Sequence, residues 1–266
     1  MAYDRLLERL YLVDNDWIVK GATALLARDL AVRATIDVDV YRQASSREIA
    51  EAELREAAGR DIGDWFTFEI GERRTLSEAA DGFRLPVKAF IGTAAWAAFH
   101  VDLGGDELHV TGEPEAVPAL ARVVVPDVEQ HGYLVYPLVD HVADKVAAMF
   151  ELYGVDGAPS TRYKDLVDVV AITIAASLPA ELQITAIQSE ATHRGLRLPE
   201  RFTVPDLQLW GRGYAREAGR SLLPIARTLD EALAVVSPCL DPLLDGTARG
   251  NWDPEQRRWV KSSLTE

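Results

Sequence analysis

The run Trp17-Ile18-Val19-Lys20-Gly21-Ala22-Thr23, answered downstream by Arg33-Ala34-Thr35-Ile36-Asp37-Val38-Asp39-Val40, is the part of this chain on which the fold turns. Trp17 to Val19 spells a short strand, Gly21 a turn, and Ala22 to Asp29, rich in Ala and Leu, a helix. Ile36 to Tyr41 then alternates apolar and acidic residues, the pattern of a half-buried strand. Residues two apart on a strand face the same way, so Asp37 and Asp39 converge. Two carboxylates held on one rigid face repel each other unless a cation lies between them. Mg²⁺ suits that place, because it takes oxygen ligands and is held by one or two carboxylates plus substrate phosphates.

Working outward, leucines 6, 7 and 10 give Tyr3 to Asp14 a helical period, and Ser45 with Glu48 forms a capping-box pattern for a helix ending near Gly59. Three runs of strand character follow, Trp65 to Ile70, Phe83 to Ile91 and Trp96 to Leu103, and an antiparallel meander is expected of them. Ala121 to Val125 and Tyr133 to Tyr136 are candidates for further strands. Beyond Pro137 the period becomes helical, over Leu138 to Tyr153, Thr161 to Ala176, Pro179 to His193, Asp206 to Ala218 and Ala226 to Val236. The expected division is an α/β domain over 1–137 and a mainly helical one over 138–266. The tail after Pro242, with Trp252 and Trp259, carries no clear pattern.

The 266 residues suffice for a full core, and 48% hydrophobic with 26% charged places the chain among ordinary globular proteins. The single cysteine, Cys239, excludes an intramolecular disulfide and a cysteine-based zinc cluster. The first residues alternate charge with leucine and lack a signal-peptide core, and the most apolar run, Leu166 to Leu178, is short and interrupted by Asp168. A soluble, cytoplasmic protein with no membrane partner is expected. The formal charge of −14, from 28 basic and 42 acidic residues, argues against indiscriminate nucleic-acid binding. Between Arg194 and Arg227, however, seven arginines meet only Glu200, Asp206 and Glu217. Arg212, Arg216 and Arg220 recur every four residues, with Trp210 and Tyr214 interleaved. Such a stripe is either a solvated helix face or, with the aromatics stacking on exposed bases, a surface for RNA.

Three further positions carry chemistry. Asp102, at the end of the run Phe99-His100-Val101-Asp102, completes a three-carboxylate metal set if its strand lies beside Ile36 to Val40. His100 shares its face. Lys145 stands among Val142, Val146 and Met149, where it either snorkels from a buried face or neutralises a triphosphate. Asp165 and Asp168 are three apart on a helix that opens at Arg162-Tyr163-Lys164. Asp165 fixes either Lys145 or the incoming base, or both aspartates form ordinary ion pairs with Arg162 and Lys164. With the phosphate-facing turn at Gly21, these groups imply metal-assisted transfer of a nucleotide.

Taken in order, Lys20-Gly21-Ala22-Thr23, Arg33-x-Thr35-x-Asp37-x-Asp39, Asp144-Lys145 and Arg162-Tyr163-Lys164-Asp165-Leu166-Val167-Asp168 resemble the AbiEii/AbiGii toxin family over roughly residues 15 to 175. The resemblance implies an α+β fold of the DNA-polymerase-β-like nucleotidyltransferase type, a mixed N-terminal sheet with helices followed by a helical C-terminal half. It implies transfer from an NTP with Mg²⁺ as cofactor, to the 3′ end of tRNA in the MenT-like members, which blocks translation, and restraint by a cognate antitoxin. Carried over by position, Gly21 and Thr23 match the turn that cradles the triphosphate and Arg33 a residue facing phosphate. Asp37 and Asp39 match the metal pair, Lys145 and Asp165 the remaining catalytic positions, and Asp102 the third metal ligand. Ala22 departs from the Gly-Gly-Thr or Gly-Gly-Ser common in the family. Two alternatives share these residues: nucleotidylation of an aminoglycoside-like small molecule or of a protein, and a non-catalytic module binding a nucleotide or an antitoxin.

Overall fold

Val38 and Val40 turn inward while Asp37 and Asp39 stay half-exposed, so the alternation written into this segment is realised as strand β2 (Asp37–Arg42). The computed structural model describes residues 1–12, 16–30, 32, 33, 35, 37–43, 46–76, 82–104, 110–120, 128, 130–154 and 156–261. It divides into two compact units. The first comprises Met1–Asp29, Ala34–Leu108 and Pro114–Tyr136, and the second Leu30–Arg33, His109–Glu113 and Pro137–Glu266. Two short segments that the sequence places in the first domain, 30–33 and 109–113, thus belong to the second unit. Segment 110–112 is fastened there by Asp140, whose buried carboxylate accepts the backbone N–H groups of Thr111 and Gly112.

In the first unit, helix α1 (Ala2–Tyr11) buries Leu6, Leu7 and Leu10 and is locked by charge as well. Arg5 and Arg9 both grip the buried Asp64, at 2.6 and 2.7 Å. Strand β1 (Trp17–Lys20) leads into α2 (Gly21–Ala27), and α3 (Arg47–Ala58) is capped by Ser46, whose hydroxyl accepts the N–H of Ile49. The cap is therefore one residue beyond the expected Ser45, which lies outside the described residues. Strands β3 (Phe66–Ile70), β4 (Arg74–Thr75), β5 (Gly82–Ile91) and β6 (Ala94–Gly104) are followed by β7 (Glu115–Val117) and β8 (Tyr133–Val135).

These eight strands form one mixed sheet in the order β3-β5-β6-β2-β1-β8-β7, with β4 also on β5. The expected meander is present as antiparallel β3–β5 and β5–β6 pairs. β2 runs parallel to β6 and antiparallel to β1, which runs parallel to β8. Val38, Val40, Leu85, Val87, Val101 and Leu103 form the heart of the core beneath it. The candidate strand at 121–125 lies outside the described residues.

The second unit holds α4 (Leu138–Phe150), α5 (Tyr163–Ala175), α6 (Ala180–His193), α7 (Leu207–Gly219) and α8 (Leu229–Leu244), with hairpins β9/β10 (Leu152–Tyr153, Ala158–Pro159) and β11/β12 (Asn251–Asp253, Arg258–Val260). α5 is buried along most of its length and packs against α4, α7 and α8. α8 overruns its expected end at Val236, passing through Pro238 and Pro242. Proline removes a helical hydrogen bond, but Val235, Val236, Cys239, Leu240 and Leu243 are buried along α8 and hold it together. The tail that carried no pattern is anchored by Trp252, fully buried, whose indole N–H donates to the Thr173 carbonyl at 2.8 Å. No helix among the described residues is long and apolar enough to cross a membrane.

Candidate active site

The sheet order settles what spacing left open. Parallel pairing of β2 with β6 sets Asp37 beside His100 and Asp39 beside Asp102, so all four side chains share one face of the first unit. On the other side of β6, Arg84 of β5 stands opposite Asp102. Its guanidinium takes both carboxylate oxygens of Asp102, at 2.7 and 2.6 Å, and reaches within 3.5 Å of Asp37 Oδ1. The hydrogen bond to Asp102 and the charges of Asp37 and Asp39 push the Arg84 pKa up. Sequence reasoning overlooked Arg84, although Phe83-Arg84-Leu85 already alternates and places the arginine on the polar face.

Asp37 Oδ1 is buried and makes no hydrogen bond; His100 Nδ1 approaches it to 3.3 Å without the alignment for one. A buried carboxylate oxygen that makes no hydrogen bond and meets Arg84 only at 3.5 Å, beside a second carboxylate two residues on, is a donor set that suits a hard divalent cation. Asp102 is paired through both of its oxygens with Arg84. Accordingly, among the described residues no three His, Cys, Asp or Glu side chains are gathered closely enough to hold a metal ion.

Gly21 has φ +61°, and a Cβ there would lie 1.8 Å from Asp39 Oδ2. Only glycine combines that backbone angle with so close an approach. The buried Thr23 hydroxyl donates to the main-chain carbonyl of Asp37 at 2.9 Å, tying α2 to the start of β2 rather than pointing into solvent. Thr35 also donates to that carbonyl.

In the second unit, Arg33, Asp168, Lys145, Asp165 and Arg162 form a row of alternating charge. Arg33 binds Asp168 through two nitrogens at 2.8 Å each. Lys145 donates to Asp168 at 2.8 Å and to Asp165 at 2.9 Å, and Arg162 closes the row on Asp165. Burial alone would raise both carboxyls, but Lys145, helped by Arg162 at one end and Arg33 at the other, holds both below the ordinary carboxylate range. Asp165 therefore both fixes Lys145 and pairs with Arg162, and Asp168 pairs with Arg33 and Lys145 rather than Lys164. Lys145 is only 4% exposed and committed to two carboxylates. The row reaches solvent at its ends, where the Arg33 and Arg162 side chains are 21% and 49% exposed.

The arginine stripe on α7 differs from expectation in its aromatics. Arg212, Arg216 and Arg220 are exposed, the last two sharing Glu217. Trp210 and Tyr214 are fully buried, donating to the carbonyls of Ser160 and Ala226. Neither can stack on a base, because the helix turns its apolar side to the core. Arg194 is likewise withdrawn from the basic surface by Asp144, Glu151 and Glu190.

No curated protein sequence matches the chain. Among solved structures it is similar to MenT4, the nucleotidyltransferase toxin Rv2826c from Mycobacterium tuberculosis H37Rv, at 18% identity and a TM-score of 0.49 over 94% of this chain and 91% of that one. It is similar to a putative nucleotidyltransferase from H. pylori at 14% identity and 0.47, covering 94% and 98%. The antibiotic-resistance factor ANT(2'')-Ia matches at 18% identity and 0.39, covering 73% of this chain and 91% of that one. The model of the nucleotidyl transferase AbiEii toxins, of type IV toxin–antitoxin systems, matches residues 5–235, and this chain belongs to that family.

Proposed function

We propose that the chain transfers a nucleotide from an NTP to the 3′-hydroxyl of an RNA, the tRNA acceptor end, the 3′ oxygen bonding to the α-phosphorus as its proton is lost and pyrophosphate leaves, and so blocks translation until a cognate antitoxin restrains it. The observation that carries the reading is the Asp37–Asp39 pair, fixed on β2 above Gly21 with one buried carboxylate oxygen that makes no hydrogen bond.

In this reading Asp37 and Asp39 hold Mg²⁺, which when bound lowers the pKa of the attacking hydroxyl and shields the phosphate oxygens. The residues around the pair keep it in place. Gly21 gives Asp39 room to lie against the main chain, and Thr23 and Thr35 anchor the Asp37 carbonyl. Rate in such transfers comes mostly from positioning and charge stabilisation, so rigidity of the pair is itself catalytic. In the second unit Lys145 acts from behind: it spaces Asp165 and Asp168, which in turn aim Arg162 and Arg33. Those two arginines are the cations of the row whose side chains reach solvent. Arg212, Arg216 and Arg220 supply an exposed positive stripe for an RNA backbone, through charge and without aromatic stacking.

The test presents α-labelled NTP and Mg²⁺ to the purified chain with total RNA, total protein and aminoglycosides in parallel. Label on RNA, abolished by prior oxidation of its 3′ ends and reduced about a hundred- to a thousandfold in Asp39→Asn, is the expected result. Label on protein or drug alone would replace RNA as acceptor, and an Asp39→Asn protein as active as wild type would remove the mechanism.

A further inference from the structure

Three carboxylates, Asp37, Asp39 and Asp102, project from neighbouring strands onto one face, an arrangement whose mutual repulsion calls for more than one positive charge. The chain supplies a positive charge of its own. Arg84 is the direct cross-strand partner of Asp102, its fork spans both Asp102 oxygens at 2.7 and 2.6 Å, and its Nη2 lies 3.5 Å from Asp37 Oδ1. A guanidinium never loses its charge under ordinary conditions, and bidentate pairing fixes its plane. A divalent ion drawing on Asp102 would have to sit against that charge, or displace it.

We infer that Arg84 is the resident counterion of this face: by gripping Asp102 it keeps that carboxylate out of the coordination set and limits the face to a single divalent ion, held by Asp37 and Asp39. Arg84 is thus a positioning residue that acts through Asp102 and sets the number of ions. The inference rests on the reading of Asp37 and Asp39 as the cation-binding pair.

Mn²⁺ serves as the probe. The full chain, in the presence of a non-transferable NTP analogue and physiological salt, is titrated with Mn²⁺ while the free ion is followed by electron paramagnetic resonance. Only ions lost in Asp37→Asn are counted. Wild type is expected to bind one such ion, Arg84→Gln two, and Arg84→Gln combined with Asp102→Asn one again. The inference is overturned by two ions in wild type, by a single ion in Arg84→Gln, or by a second ion that survives in the double variant. If Arg84→Gln does not fold, the wild-type count decides, one supporting the inference and two overturning it. A wild type that binds no Asp37-dependent ion removes the functional reading of the pair itself, which separates that failure from the failure of the role given to Arg84.

Discussion

Lys145 donates to Asp168 at 2.8 Å inside the helical unit, and the same carboxylate receives the guanidinium of Arg33 from 135 positions away in the chain. That meeting ties a short excursion of the chain, residues 30–33, to the helices α4 and α5. It turns a lysine that sequence marked only as out of place into the centre of a charge row.

Removing Lys145 would leave Asp165 and Asp168, 5% and 1% exposed, facing each other without their shared cation. Breaking a buried ion pair by deleting one partner costs about 3–5 kcal/mol. Lys145→Met is therefore expected to lower the urea midpoint steeply, and a loss under about 1 kcal/mol would show the row to be incidental.

The same row predicts a pH dependence. Both carboxyls are depressed in the folded protein, so their contribution to stability is complete above the unfolded carboxylate pKa of about 4 and is lost as pH falls through the lower folded values. Urea midpoints should show no loss from this source between pH 7 and 5 and a decline below about pH 4. That acid-side decline should be smaller in an Asp165→Asn/Asp168→Asn double variant. Equal declines in both proteins would assign it to other groups.

Gly21→Ala tests the contact on which Asp39 depends. A methyl group would overlap the carboxylate, and the left-handed backbone angle would cost about 1–2 kcal/mol more for alanine. The variant is expected to stay folded by circular dichroism while nucleotide transfer falls about a hundredfold, as a displacement of about 1 Å can do. Full activity would mean that Asp39 need not lie where it does.

On α7 the buried and exposed positions should separate cleanly. Trp210→Ala is expected to cost about 3–5 kcal/mol in stability, as large buried aromatics do. Replacing Arg212, Arg216 and Arg220 together by glutamine should leave the melting temperature nearly unchanged, and should weaken RNA labelling and flatten its salt dependence. Unaltered labelling would make the stripe an ordinary solvated face.

Much of the local structure was legible in the residues. The alternation of Asp37 to Val40, the helical periods after Pro137 and the meander of three strands each follow from which side chains must leave water, and that is a matter of spacing along the chain. Boundaries failed where packing overrode local propensity, as when α8 continued through two prolines under its buried apolar stripe. The aromatics of α7 stayed open between base stacking and the core because spacing shows that Trp210 and Tyr214 share a helix with arginines, not which side meets the core.

By itself, then, the sequence determined that two carboxylates would share a face behind a glycine turn, and that a lysine and two aspartates would follow on helices. Only the tertiary structure decided which partners they keep: Arg84 on Asp102, Lys145 between Asp165 and Asp168, Arg33 on Asp168. Charge acts through distance in space, and the order of strands in a sheet and of helices in a bundle is set by the burial of whole faces, which no single segment encodes.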